Sequence, residues 1–200
     1  MSISTYGELK TAAARFVSLA GFADYTSSVP DFVILAEANI RRDVRVLDML
    51  KTQAGNLVSG AFALPPRFIG VRSLTIDPYG PIDYVDPSEM AKLSTRTYPA
   101  GYSIGATDID VAGAGTDPYV MTYWQSYAPF STDSDTNWLL TNAPDVYLFA
   151  TLANGADFMK DDAALTKYAE RYRQAVEGVN AQARAQLFGK PARVRARVVA

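Results

Sequence analysis

Residues 137–159 carry the strongest structural signal in the chain, and they read Asn137-Trp138-Leu139-Leu140-Thr141-Asn142-Ala143-Pro144-Asp145-Val146-Tyr147-Leu148-Phe149-Ala150-Thr151-Leu152-Ala153-Asn154-Gly155-Ala156-Asp157-Phe158-Met159. Asn142 can accept a hydrogen bond from the backbone N–H of Asp145, and Pro144 is tolerated in a first helical turn, so a helix start is predicted here. Apolar residues then cover more than one helix face, and a lone small domain cannot easily bury them all. The helix is therefore predicted to be the centre of a helical bundle or to be covered by a neighbouring chain.

Two amphipathic helices are predicted in the N-terminal part of the chain. Thr5 and Glu8 form a capping box that opens the first. The second is predicted to start at residues 28–31, with Pro30 in its first turn. The apolar residues expected on its buried stripe are Phe32, Leu35, Ala36, Ile40, Val44 and Leu47.

The middle of the chain has the alternating pattern of strands. Strands are predicted at residues 56–64, 69–76, 102–104, 108–111 and 119–125. Asp86 and Pro87 predict the cap and first turn of a short helix, and a long helix is expected from Asp162 to about Phe188. The order helix, helix, sheet, helix, helix predicts an α+β fold: a helical bundle built from N- and C-terminal helices, with an inserted small antiparallel β-sheet.

Four segments are expected along the chain. Residues 1–50 supply the N-terminal helices of the bundle, 51–126 the inserted β-rich region, 127–189 a loop and the C-terminal helices, and 190–200 a basic tail. In the tail, Arg193, Arg195 and Arg197 alternate with Val194, Ala196 and Val198, as in a strand with one charged and one apolar face. A solvated terminus and an arm that adds to a sheet edge or an acidic partner surface are both open readings, with DNA contact ranked third.

Composition limits the classes of function. The chain has 200 residues, 48% hydrophobic and 20% charged, which is typical of a globular protein, and no apolar run is long enough for a membrane helix. Its first residues show no secretory signal, so we expect it to stay in the cytoplasm of the cell that makes it. With no cysteine and no histidine, we expect no cofactor, no metal site and no catalytic residues. A net charge of −2 argues against electrostatic binding of nucleic acid.

Polar residues before the central helix predict an interaction loop at residues 127–136. The side chains there can order on contact with a partner but cannot form a core. The glycine-rich stretches at 101–105 and 113–115 lack a phosphate-loop ending, and the paired aspartates lack a calcium-binding loop. The residues predicted for a partner interface are Ser131, Asp133 and Asp135 in the loop, Trp124 and Trp138 beside it, and Arg193, Arg195 and Arg197 in the tail.

Seven blocks spread over most of the chain form a recognisable series. They are residues 5–9, 30–38, 40–45, 64–69, 123–124, 131–148 and 160–162. In order and spacing these blocks resemble the head-to-tail adaptor (connector) proteins of short-tailed bacteriophages, the T7-like tail tubular protein A group. The resemblance implies a structural virion protein and not an enzyme.

That resemblance also implies a set of partners. About twelve copies would form a ring below the portal, present the opposite face to a tail or nozzle protein, and line a channel. DNA would pass through this channel without specific binding, during ejection of the viral genome, and no membrane would be involved. The protein would belong to the virion, after assembly in the host cytoplasm. An uncharacterised hydrolase or small-ligand-binding domain is the alternative, which a ligand bound in a closed pocket would support.

Overall fold

The computed structural model describes residues 3–17 and 23–188. In chain order its elements are α1 (Tyr6–Val17), α2 (Ala23–Asp43), a short 3-10 turn (Leu47–Met49), β1 (Leu50–Asn56), β2 (Ala61–Ala63), β3 (Phe68–Ile76), β4 (Gly80–Ile82), α3 (Pro87–Leu93), β5 (Gly101–Ile104), β6 (Asp108–Ala112), β7 (Pro118–Gln125), α4 (Trp138–Asn142), α5 (Pro144–Phe158) and α6 (Asp162–Phe188). Helices lie at both ends of the chain with strands between them, so the predicted α+β class is confirmed. The chain divides into two compact units, Met1–Leu47 with Pro129–Ala200, and Asp48–Ala128.

Helix α5 is the centre of the first unit. It contacts α1, α2, α4 and α6, and Val146, Leu152 and Ala156 on it are fully buried. The first alternative predicted for this helix, the centre of a bundle, is therefore confirmed. The predicted cap is wrong: Ala143 is the N-cap and makes no side-chain cap bond, while the Asn142 amide donates to the carbonyl of Trp138 at 2.8 Å. Asn142 ends α4, so its side chain serves that helix instead.

Helix α2 begins earlier than the sequence predicts. It starts at Ala23, so the expected start at residues 28–31 is wrong and Pro30 lies inside the helix. Pro30 removes one backbone hydrogen bond. Tyr25 and Val29 are only 1% exposed, and the burial of these side chains stabilises the additional turn.

The buried stripe of α2 also differs from the predicted one. Val33 is buried, whereas Leu35 is 54% exposed and Leu47 is 37% exposed. At about 100° per residue, Leu35 lies roughly a third of a turn from the centre of the stripe that carries Phe32, Ala36 and Ile40. The predicted stripe was therefore partly wrong, because it combined the buried face of α2 with Leu35, which lies on a different and exposed face.

The second unit contains two antiparallel sheets and not the single sheet predicted. One has the strand order β1-β7-β3-β4 and the other β2-β6-β5. A shared core joins them, in which Phe62 of β2 stacks on Tyr119 of β7 with ring centroids 3.9 Å apart. The predicted strand at 56–64 is wrong because Ser59 and Gly60 have positive φ values of 54° and 80°, which turn the chain before β2.

The other local predictions in this unit are confirmed. The predicted strands at 69–76, 102–104, 108–111 and 119–125 lie within β3, β5, β6 and β7. Helix α3 starts at Pro87, and the carboxylate of Asp86 accepts a hydrogen bond from Ser88 N at 2.9 Å. These elements share a strong local signal, either alternation of apolar residues or a capping residue followed by proline.

Candidate interaction surfaces

The loop before the central helices, residues 129–137, is held by one aspartate; we call it the Asp135 loop. The carboxylate of Asp135 accepts hydrogen bonds from Ser131 N at 2.6 Å, Thr132 N at 2.8 Å and Thr132 Oγ1 at 2.6 Å. These bonds, those from Thr132 first, hold the pKa of Asp135 well below its usual range. The ionised carboxylate therefore closes this loop on itself.

The Asp135 loop is also bonded to the start of α1. Tyr6 N donates to the carbonyl of Asp135 at 2.9 Å, and Gly7 N donates to the carbonyl of Asp133 at 3.0 Å. Lys10 Nζ lies 2.6 Å from the Asp133 carboxylate. A Cβ on Gly7 would lie 3.2 Å from both the Cβ and the carbonyl oxygen of Asp133, so the glycine permits this close approach. Backbone pairing and one ion pair fix the loop to a helix more than a hundred residues earlier in the chain.

Phe130 anchors the same loop to the helical core. Its ring stacks on Tyr6 at 5.3 Å and packs against Tyr147 of α5 at 5.2 Å between centroids. Its backbone N–H donates to the Glu37 carboxylate at 2.9 Å, and burial raises the pKa of Glu37. Burial also raises the pKa of Tyr147, whose hydroxyl accepts a hydrogen bond from the Asn137 amide at 2.8 Å. The loop thus has an aromatic anchor and polar bonds on both sides of it.

These contacts bear on the predicted interaction loop. Ser131, Asp133 and Asp135 are all bonded within the chain. Ordering of the loop consequently does not require a partner, although contact with a partner through its exposed side chains stays a prediction. Trp138 at the start of α4 is 39% exposed, and Trp124 on β7 is half-buried between Leu50 and Gly70 of the neighbouring strands.

The predicted tail residues Arg193, Arg195 and Arg197 lie outside the described residues. Their alternating pattern is known from sequence alone. The arm and the solvated terminus thus both stay predictions.

Sequence reasoning missed an exposed apolar surface on α2. Ile34 is 60% exposed and Leu35 54% exposed, and they lie between exposed charged residues at either end of the helix face. We call this surface the α2 outer face; its residues are Asp31, Ile34, Leu35, Ala38, Arg41 and Arg42. The signal was present in the sequence, because Ile34 and Leu35 do not fit the stripe centred on Ala36 and Ile40.

Each of the two units carries a surface cavity. One, of about 670 Å³, lies in the second unit beside Ser94, Arg96, Ser103 and Asp110. The other, of about 650 Å³, lies in the first unit and is lined by α1 from Gly7 to Arg15, by α2 around Pro30 and by Asp133. Within residues 3–17 and 23–188 no group of three or more acidic side chains is placed to hold a metal ion. In the same part of the chain, no helix has the length and apolarity needed to cross a membrane.

A fixed loop, exposed tryptophan and an apolar helix face edged by charge are typical of a protein that works by contact with other proteins. The model of the SU10 adaptor protein family matches residues 4–195, and the chain belongs to this family of phage head–tail adaptors. No curated protein matches the chain. The resemblance to phage adaptors is thereby confirmed, and the protein is a structural adaptor of a bacteriophage virion.

Proposed function

We propose that the protein forms a ring of about twelve subunits that joins the portal to the tail or nozzle protein and lines the DNA channel. The observation that carries this proposal is the family match over residues 4–195, since adaptors act by joining other structural proteins of the particle. Assembly takes place in the host cytoplasm and the finished ring remains in the virion. DNA passes through it during genome ejection without specific binding, and the net charge of −2 is consistent with such a wall.

The α2 outer face supports assembly through this helix. Ile34 and Leu35 are more than half exposed at its centre, with Asp31 one turn before them and Arg41 and Arg42 about two turns after. An apolar centre between charged ends has the layout of a protein–protein interface, in which apolar area supplies affinity and the charges set register. A ring subunit needs such a surface because each copy contacts two neighbours.

The Asp135 loop and Trp138 form the second proposed contact. The loop is already fixed by Phe130 and Asp135, so little conformational entropy is lost when a partner binds it. Trp138 follows the loop directly and is 39% exposed, so part of its side chain is available to fill a partner's pocket. We include Trp124, Ser131, Asp133 and the tail arginines 193, 195 and 197 in the same proposal, as residues that face the portal, the tail protein or a neighbouring subunit.

Electron microscopy of the protein mixed with the portal of the same phage tests this function. We expect a ring of about twelve copies on one end of the portal. Ile34→Lys with Leu35→Lys should abolish the ring, because the two lysines would remove the apolar centre of the α2 outer face and add two positive charges to those of Arg41 and Arg42. Val58→Lys with Tyr79→Lys is the matched control, since Val58 is 74% and Tyr79 49% exposed and the two changes add the same two charges to the second unit. A portal that stays bare with the unaltered protein would overturn the proposal.

A further inference from the structure

Strand β1 has an open edge. It runs for seven residues and pairs with β7 in a regular antiparallel register from Leu50↔Trp124 to Asn56↔Pro118. Among the described residues, its backbone groups bond to no other strand. The outer edge therefore presents unpaired N–H and C=O groups, which can pair with a strand from another chain.

The other edges of the two sheets are protected. Strands β2 and β4 have three residues each, and β4 contains Pro81. Strand β5 is covered by the segment before α3: Val85 N donates to the carbonyl of Tyr102 at 2.8 Å, and Tyr102 N donates to that of Asp83 at 3.0 Å. Short length, proline, coverage and charged side chains, lysine in particular, are the usual means of blunting an edge. Strand β1 is long, contains no proline and is not covered within the described residues, and Lys51 is the single charged residue along it.

The two faces of β1 differ. Directly opposite residues of an antiparallel pair share a face. Thr52 and Ala54 lie opposite Thr122 and Val120, so these four uncharged residues belong to the outer face of the sheet, where Val120 is 48% exposed. Lys51, Gln53 and Gly55 lie opposite the buried Tyr123, Met121 and Tyr119, and Gln53 Nε2 donates to Tyr119 Oη at 2.9 Å. An added strand must match this alternation.

The chain itself contains a segment with that alternation. After α6 ends at Phe188, twelve residues follow, and residues 193–198 alternate arginine with valine or alanine. Six residues of strand span about 20 Å, which fits the seven residues of β1. The family match continues beyond α6 through Arg195, so the first half of residues 193–198 belongs to the matched region.

We propose that residues 193–198 of a neighbouring copy add to the open edge of β1 as a fifth strand of the four-stranded sheet. This inference rests on the proposed ring, because it assigns one contact between adjacent subunits. The arginines lie on the face of Thr52 and Ala54, and the valines and alanine lie on the face of Lys51. This arrangement keeps like charges apart.

Charge favours the same arrangement. Asp48, exposed, precedes β1, and Asp117 precedes β7 at the opposite end of the β1–β7 ladder. Acidic groups thus lie at both ends of the strand that would receive three arginines, so the contact should weaken as salt rises. Donation of a tail by one copy to the edge of the next is a head-to-tail contact, and such contacts close into rings when the rotation between subunits allows it.

Engineered cysteines test the proposal cleanly because the chain has none. One full-length protein carries Thr52→Cys or Ala54→Cys, and a second carries Arg193→Cys, Arg195→Cys or Arg197→Cys. The two are mixed with the portal, assembled and mildly oxidised. Thr52 or Ala54 should lie directly opposite one of the three tail positions, close enough for a disulfide. We expect covalent dimers from at least one pairing. Ala196→Cys with Thr52→Cys is the matched control, and should cross-link at most about a tenth as much, because the two side chains lie on opposite faces.

Each outcome is informative. Rings that form on the portal without any disulfide would overturn the strand addition while leaving the proposed function intact, whereas bare portals would overturn both. A protein carrying both Thr52→Cys and Arg195→Cys that cross-links only within one chain would show that the edge receives its own tail, and would overturn the proposed donor. Deletion of residues 191–200 should weaken ring formation by about tenfold or more, increasingly so at high salt, because several backbone hydrogen bonds are lost. Undiminished ring formation by this variant would also refute the inference.

Discussion

Gly155 of α5 offers a sharp test of how α2 is held in the bundle. A Cβ built on Gly155 would lie 2.4 Å from Tyr25 Oη and 2.6 Å from Tyr25 Cε2. Tyr25 is 1% exposed and packs on Phe32 with ring centroids 5.3 Å apart, so its ring has little room to move. Gly155→Ala should therefore force Tyr25, and with it α2, away from α5.

The magnitude follows from a matched pair of variants. Gly178 also lies inside a helix, but nothing is within 4 Å of its added Cβ. Gly178→Ala should stabilise the protein by about 0.5–1 kcal/mol through helix propensity alone. Gly155→Ala has the same favourable helix-propensity contribution, but the overpacking against Tyr25 destabilises the protein by about 1–3 kcal/mol. The free energy of unfolding of the two variants should thus differ by about 1–3 kcal/mol, because the propensity contribution is common to both.

Urea denaturation followed by helical circular dichroism measures this difference, since the long helices all belong to the first unit. Gly155→Ala should unfold at a lower urea concentration than Gly178→Ala. Tyr25→Phe removes the nearest clashing atom and should partly rescue Gly155→Ala. It also removes a hydroxyl that is buried without a hydrogen-bond partner among the described residues, so alone it should be neutral or stabilising. Equal stability of the two alanine variants would refute the reasoning about Tyr25.

Three further outcomes are expected in the first unit. Leu148→Ala should cost about 2–5 kcal/mol in the free energy of unfolding because Leu148 is 8% exposed in α5; a loss well under 1 kcal/mol would contradict its central position. Phe130→Ala should destabilise the protein by about 1–3 kcal/mol and speed hydrogen exchange in residues 131–136; unchanged exchange would show that the ring is no anchor. The folded state lowers the pKa of Asp135, so the ionised carboxylate contributes its full share of the folding free energy above the unfolded-state pKa and loses that share as pH falls through the acidic range. Asp135→Asn removes the ionisable group, and the free energy of unfolding should therefore decrease less steeply with falling pH in acid denaturation.

The elements that were predicted correctly are those whose signal comes from residues adjacent in the sequence. The start of α3 is fixed by Asp86 and Pro87, and the strands β3 and β7 by alternation within each strand. The start of α2 was missed because the local signal at Pro30 is outweighed by burial of Tyr25 over Gly155, a residue 130 positions away. No local pattern records that opposing glycine.

The candidate contacts were only partly predictable for the same reason. The loop, Trp138 and the alternating tail were visible in the sequence as polar, aromatic and charged patterns. The ion pair of Lys10 with Asp133 joins residues 123 positions apart. Because of this pair, Asp133 holds the loop against α1, a structural role that its neighbours in the sequence do not indicate. The open edge of β1 depends on which strand pairs with β7 on either side, and that order follows from long-range pairing.

Helix α5 positions both proposed contact surfaces of the first unit without belonging to either. Its Tyr147 packs against Phe130 of the Asp135 loop, its Asn154 amide donates to the carbonyl of Phe32 on α2 at 3.1 Å, and its Gly155 admits Tyr25. Substitutions inside α5 should consequently impair assembly even though none of these side chains would touch a partner. The cause can be separated from a direct contact by comparing variants: Gly155→Ala should weaken assembly and stability together, whereas Ile34→Lys with Leu35→Lys should weaken assembly and leave the free energy of unfolding within about 0.5 kcal/mol. If both variants lost stability equally, the α2 outer face would be part of the folded core and not a docking surface.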